Sequence, residues 1–233
     1  MTFKDDKRDR APRLSEIDAR LAAHYGRPRW SSHGPPLDEL IGTILSQHTS
    51  DGNTARAYAS LRNQFPTWRA VIDAPVGRVA EAIRIGGLAN LKAPRIQNVL
   101  RAVEAETGSL SLGWLRTLPP NEARSWLQAL PGVGPKTAAC VLLFSLGHPV
   151  MPVDTHVHRV ARRLGLVDRN SSATETHETL DRLIGPDRDL IYALHLNLIR
   201  HGRAVCKARV PACHQCVLAD ICPSAGNWLT VAD

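Results

Sequence analysis

From Leu37 onward the apolar residues Leu37, Leu40, Ile41, Ile44 and Leu45 recur every three or four positions. The same spacing returns in Val157, Val160, Ala161 and Leu164, and again in Leu190, Ile191, Leu194, Leu198 and Ile199. Each set is one stripe of an amphipathic helix. No segment alternates with the period of a strand, so the pattern predicts an all-α chain. Ser15 is placed to cap a helix through His24, which Gly26 and Pro28 stop, and Arg27 to Pro36 reads as a linker. The helix from Leu37 runs into the polar string Ser46-Gln47-His48-Thr49-Ser50-Asp51. The next helix is expected to bury Ala55, Tyr58, Ala59 and Leu61 and to end near Phe65-Pro66. Shorter helices follow from Thr67 and over Pro75 to Ile83, stopped by Gly86-Gly87. A longer one then leads to Glu106, and Ser111 to Pro120 reads as an additional helical turn. The first thirteen residues, MTFKDDKRDRAPR, alternate charge and are predicted to be a disordered tail.

The apolar run ending at Leu130 meets Pro131-Gly132-Val133-Gly134-Pro135, which cannot continue a helix. Pro135 has the φ of a first helical position, and Lys136 to Leu146 reads as a second apolar helix. The two helices are therefore joined by a tight hairpin. The glycines carry no side chains, so a phosphate could reach the backbone N–H groups of Gly132, Val133 and Gly134 and meet the positive end of the second helix. A nucleotide-binding loop does not fit, because glycine must precede its lysine and a strand must precede the loop. A helix–turn–helix corner without a ligand is the plainer alternative.

Lys136 stands in the first turn of the second helix, where a positive charge is disfavoured. An amine attacks carbon only when neutral, and with a reference pKa of about 10.4 the neutral fraction near pH 7.5 is on the order of one in a thousand. A helix N-terminus and partial burial both enlarge that fraction. Asp154 follows an irregular connection and precedes an apolar-periodic run, as an ordinary N-cap does. A carboxylate there could also stabilise positive charge on a sugar and assist proton transfer.

Composition narrows the partner. In 233 residues, 43% are hydrophobic, enough for a substantial core, and the net charge of +7 favours a polyanion. The N-terminus has no apolar segment of a secretory signal, and no apolar run is long enough to span a membrane. The expected location is the cytoplasm, with nucleic acid the natural polyanionic partner. Cys206, Cys213, Cys216 and Cys222 are spaced C-x6-C-x2-C-x5-C, which in a chain without a secretion signal argues for metal over disulfides. The spacing alone fits zinc and iron–sulfur equally. Lys207 and Arg209 lie in the loop that the first two cysteines would pin, where they could contact phosphates. Cys140, in an apolar helix, reads as an inert buried thiol.

LPGVGPKTA followed by VDTHVHR, and then by the four cysteines, resembles the endonuclease III family of DNA glycosylases and AP lyases, over about Leu37 to Cys222. The resemblance implies two helical lobes with a DNA-binding groove between them. A six-helix barrel with the helix-hairpin-helix would span 29–148, and an iron–sulfur lobe would combine 14–28 with 149–233. It implies a [4Fe–4S] cluster on the four cysteines, Lys136 as nucleophile and Asp154 as its carboxylate partner. LSQHTSDGN is similar to the family loop that fills the gap left by a flipped nucleotide, which assigns insertion to His48, standing where many relatives have Gln, and makes Gln47 beside it a DNA contact. GLANLKAPRI is similar to the segment whose leucine wedges into the duplex, which assigns Leu88. The stretch from Gly108 to Asn121 is longer than in well-known members.

The implied activity is a bifunctional glycosylase and β-elimination lyase. It would remove oxidised pyrimidines from double-stranded DNA, or act at abasic sites, as a monomer and through a lysine Schiff base. The alternatives are an abasic-site lyase of narrow base range, a monofunctional adenine-mismatch glycosylase, and a non-enzymatic binder of damaged DNA. Lys136 and the short stretch after Cys222 count against the adenine-mismatch branch.

Overall fold

The computed structural model describes residues 10–229, and every regular element among them is helical. The described residues through Ser31 and from Pro149 onward form one compact unit, and Ser32–His148 form the other. The first unit opens with α1 (Arg10–Tyr25). The second contains α2 (Pro36–Ser46), α3 (Asp51–Gln64), α4 (Trp68–Asp73), α5 (Val76–Ala82), α6 (Ala89–Thr107), α7 (Pro120–Ala129) and α8 (Pro135–Cys140). The chain then returns to the first unit with α9 (Thr155–Arg163), α10 (Ala173–Ile184), α11 (Arg188–Ala204) and α12 (Gly226–Leu229).

In the unit Ser32–His148, the apolar stripe of α2 is buried as its spacing requires. Helix α3 is capped by Ser50, whose side chain accepts from the Asn53 N–H. It buries Ala57 and Leu61, whereas Ala55 and Ala59 are exposed and Tyr58 is half-buried. The expected face was thus partly wrong. Alanines bury too little surface to fix a helix's rotation, and Leu61 decides it. Continuing α8, Val141–Leu146 widen into π-type turns that remain wholly buried, so this helix runs through the unit's core.

The longer stretch before α7 has a structural task. Gly113–Thr117 makes a 3₁₀ turn from which Arg116 donates to the carbonyls of Ser145 (2.9 Å) and Leu146 (3.3 Å). His148 Nε2 lies 3.1 Å from the Leu115 carbonyl, and Trp114 meets Trp126 edge-on. The added turn therefore satisfies the orphan carbonyls at the end of the helix that carries Lys136.

In the first unit, α1 begins at Arg10, inside the segment expected to be a tail, because Arg10 is buried and paired with Asp168. Residues 1–9 lie outside the described residues. Ser15 does not cap α1: it is within the helix, its hydroxyl donating to the Ala11 carbonyl. Leu14, Ile17 and Leu21 face the core, and Asn197 from α11 donates to the Gly26 carbonyl at 2.9 Å. The Arg188 guanidinium sits over the Trp30 ring, 4.2 Å from its centroid. Helix α10, which the apolar pattern did not announce, is started by a capping box in which Ser172 and Glu175 satisfy each other's backbone N–H. Among the described residues, no helix is long and apolar enough to cross a membrane.

Candidate active site

The hairpin between α7 and α8 is built as the sequence predicts. Gly132 takes a φ of 75°, which favours glycine, and both Gly132 and Gly134 are exposed. Val133 differs from expectation. Its side chain is buried and its N–H closes the turn onto the Leu130 carbonyl at 3.1 Å, so that donor is already used. Lys136 is half-buried in the first turn of α8 and lines an open cleft of about 1140 Å³ within its own unit.

The cleft wall is polar and ordered. His33 stacks flat on Phe144 at 4.7 Å, and its Nδ1 lies 3.4 Å from Glu39, which also accepts from the Thr43 hydroxyl. Asp38 accepts from the Trp68 indole N–H at 2.8 Å. Burial, together with the nearby Asp38 carboxylate, pushes the Tyr58 phenol up to about 12, so it remains a neutral donor. Asp51 also lines the cleft, and so does Cys140, which is buried as expected. Neither His33 nor Glu39 is marked by the sequence, and Tyr58 reads there only as a core residue of its helix. His33 sits in a linker without periodicity, and Glu39 looks like ordinary helix surface.

Two exposed residues of the same unit take left-handed backbone conformations that non-glycine residues rarely adopt: His48 (φ 54°) and Leu88 (φ 52°). Leu88 is 48% exposed. Gln47 is half-buried, and its side-chain oxygen accepts from Arg95 at 2.9 Å. A Cβ on Gly132 would fall 2.8 Å from Arg95 Nε, so Arg95 spans from this loop to the hairpin. Beneath them Lys92 is buried, and burial lowers its pKa. Lys92 falls on the stripe of Ile96, Val99 and Val103, an out-of-pattern charge that could have been noticed.

In the first unit, Asp154 is half-buried and caps α9, its Oδ1 accepting from the Val157 N–H at 2.7 Å. The ordinary role read from sequence is thus present, and it fixes the carboxylate's position.

Arg159 and Arg163, on the faces of α9 outside its apolar stripe, hold the cysteine region together. Arg159 donates to the carbonyls of Gly202 (2.8 Å) and Cys206 (3.0 Å). Arg163 donates to Lys207 (2.7 Å) and Ala208 (2.9 Å) carbonyls and to Cys206 Sγ (3.3 Å). Lys207 and Arg209 are left exposed on the loop this latches.

Cys206, Cys213, Cys216 and Cys222 line one pocket with Val160, Leu164 and Pro211. Among the described residues, no three His, Cys, Asp or Glu side chains converge as a single ion requires. Four thiols around one pocket are a donor set that fits an iron–sulfur cluster as it fits zinc. Burial and the neighbouring thiols push Cys216 up to about 11, and burial raises Cys213 and Cys222. Deprotonating them together takes the positive charge of a metal group.

Comparison with known proteins agrees with this geometry. Residues 41–186 match the profile of the HhH-GPD superfamily of base excision DNA repair proteins, and residues 206–222 match the iron-sulfur binding domain of endonuclease III. Endonuclease III of Thermotoga maritima is 33% identical over 195 residues, covering 84% of this chain and 86% of that protein. An Arabidopsis thaliana protein that carries the name DNA glycosylase is 42% identical over 195 residues, 82% of this chain. The chain spans 66% of that relative, and 10% and 12% of two longer plant relatives. A trapped covalent endonuclease III–DNA intermediate superimposes with a TM-score of 0.79 at 29% identity, covering 94% of this chain and 98% of that one. The chain belongs to the endonuclease III family of base excision DNA repair proteins, and its cofactor is a [4Fe–4S] cluster.

Proposed function

We propose that this protein is a DNA glycosylase with AP lyase activity that removes oxidised pyrimidines from double-stranded DNA through a Schiff base on Lys136. The observation that carries this reading is the position of Lys136. It stands one residue into α8, directly behind an exposed glycine hairpin, and on the edge of a polar cleft. A relative that a covalent complex with DNA has trapped is consistent with an amine nucleophile in this fold.

In the proposed sequence, Gly132 and Gly134 grip the phosphates, and the hairpin thereby sets the distance between sugar and amine. The damaged base leaves the stack for the cleft, where Glu39, Thr43, Asp51 and Tyr58 offer acceptors and a donor to the extra hydroxyl or N–H groups of an oxidised ring. His48 and Leu88 occupy the space it vacates. The neutral amine of Lys136 attacks C1′, and the base departs with the electrons of the glycosidic bond. Opening of the sugar ring gives the iminium. A proton is then lost from C2′, and the 3′ phosphate leaves, cutting the strand. Asp154 stabilises the cationic sugar and assists proton transfer. Cys206, Cys213, Cys216 and Cys222 hold the cluster, which stabilises the loop carrying Lys207 and Arg209.

The test is base release and strand cleavage, measured separately on duplexes containing thymine glycol, an abasic site, or adenine opposite 8-oxoguanine, with wild type and Lys136→Ala. Release and cleavage on thymine glycol, both lost in the variant, are expected. Cleavage of the abasic duplex alone would leave a lyase of narrow base range. Adenine release without cleavage would indicate the monofunctional branch, and no reaction on any duplex would leave a binder.

A further inference from the structure

The structure assigns to Lys92 the role of a positioning residue that sets both DNA-facing loops of the unit Ser32–His148 from one buried nitrogen, an inference that rests on the function proposed above. Its Nζ donates to the Leu45 carbonyl at 2.7 Å and to the Gly86 carbonyl at 2.8 Å. Leu45 is three residues before His48, and Gly86 two before Leu88. Those two residues are the only non-glycine positions of positive φ among the described residues. Each such conformation is strained and persists only where its surroundings over-determine it. Lys92 supplies that constraint at the base of both loops.

The chemistry of the bond makes the constraint strong. Lys92 is 2% exposed, and both of its bonded partners are neutral carbonyls. A buried ammonium without a carboxylate is held only by such dipoles, so loss of either leaves charge under-solvated. The ends of the two loops are thereby referred to one point, and neither can shift alone. One turn further along α6, Arg95 adds a surface tie from Gln47 to the hairpin at Gly132. A wedge of two tips must enter one gap together, and a shared anchor gives that registration before DNA arrives.

The test uses the full-length holoprotein and a duplex carrying tetrahydrofuran, a stable abasic analogue, with 2-aminopurine opposite it. Two quantities are read: affinity for this duplex relative to an undamaged one, and the rise in 2-aminopurine fluorescence at saturating protein. For Lys92→Met the expected result is a lesion preference lowered by about tenfold or more and loss of the fluorescence rise. Affinity for undamaged duplex should stay within about twofold, because hairpin and loop cations still contact phosphates. Lys92→Gln, whose amide can reach one carbonyl, should give an intermediate rise, and it replaces the methionine variant if that one does not fold. A purely structural role would lower both affinities in parallel and track the melting temperature; that result overturns the inference, as does a wild-type rise in Lys92→Met. If wild type itself shows no lesion preference, the proposed function falls and this inference with it. If wild type shows the preference and the Lys92 variants keep it, only this inference falls.

Discussion

Asp154 is both the cap of α9 and the proposed electrostatic partner of the reaction, and two substitutions separate those roles. Its Oδ1 accepts from the Val157 N–H at 2.7 Å, a good capping bond. Asp154→Ala removes it and should cost about 1 kcal/mol, within the range of roughly 0.5–2 kcal/mol for a lost cap. For a chain of this size that lowers the melting temperature by about 2–4 °C. Asparagine caps as well as aspartate, so Asp154→Asn should melt within about 1 °C of wild type. It keeps the shape and the N–H acceptor but loses the negative charge. If the charge stabilises the cationic sugar, both variants should cleave abasic duplex about a hundredfold or more slowly in single turnover. Stability and activity then part company in Asp154→Asn. The assay pairs thermal melting with cleavage at saturating enzyme. An Asp154→Asn protein that cleaves at nearly the wild-type rate would refute the electrostatic role and leave Asp154 as a cap alone.

Other consequences are more local. Arg163→Gln should loosen the cysteine loop and speed loss of the cluster's visible absorbance in air, because three bonds to Cys206, Lys207 and Ala208 go with it. Unchanged cluster lifetime would show the latch to be dispensable. Lys207→Ala and Arg209→Ala should weaken DNA binding regardless of sequence, each reducing the slope of log affinity against log salt by about 0.9 if it contacts one phosphate. The Glu175 carboxylate is held below its usual range by the Ser172 N–H and hydroxyl. A depressed acid contributes stability above its unfolded pKa, near 4.3. The melting advantage of wild type over Glu175→Ala should therefore be present at neutral pH and vanish as pH falls through the lowered folded value.

The helices that carry the proposed chemistry were legible because they are strongly patterned. The stripe from Leu37 to Leu45, the glycine hairpin before Lys136, and the capped run after Asp154 each combine periodicity with a start or stop residue. The start of α1 was not legible, because the Arg10–Asp168 pair that extends it lies 158 residues away along the chain. Helix α10 was missed since its buried residues include Thr176 and His177, which no apolar count registers. The same blindness hid the cleft wall and the two arginine latches. The arginines' partners are mainly backbone carbonyls brought close only by folding, and a guanidinium that binds carbonyls looks in sequence like one that faces solvent. Val133 shows the converse: a residue inside a recognisable motif can spend its N–H on the turn.

Borohydride reduction during reaction with an abasic duplex asks whether Lys136 forms the covalent bond to DNA. The expected result is a stable protein–DNA adduct that peptide mapping places on Lys136 and that is absent from Lys136→Ala. No adduct with wild type, or an adduct that survives undiminished in Lys136→Ala, would contradict it.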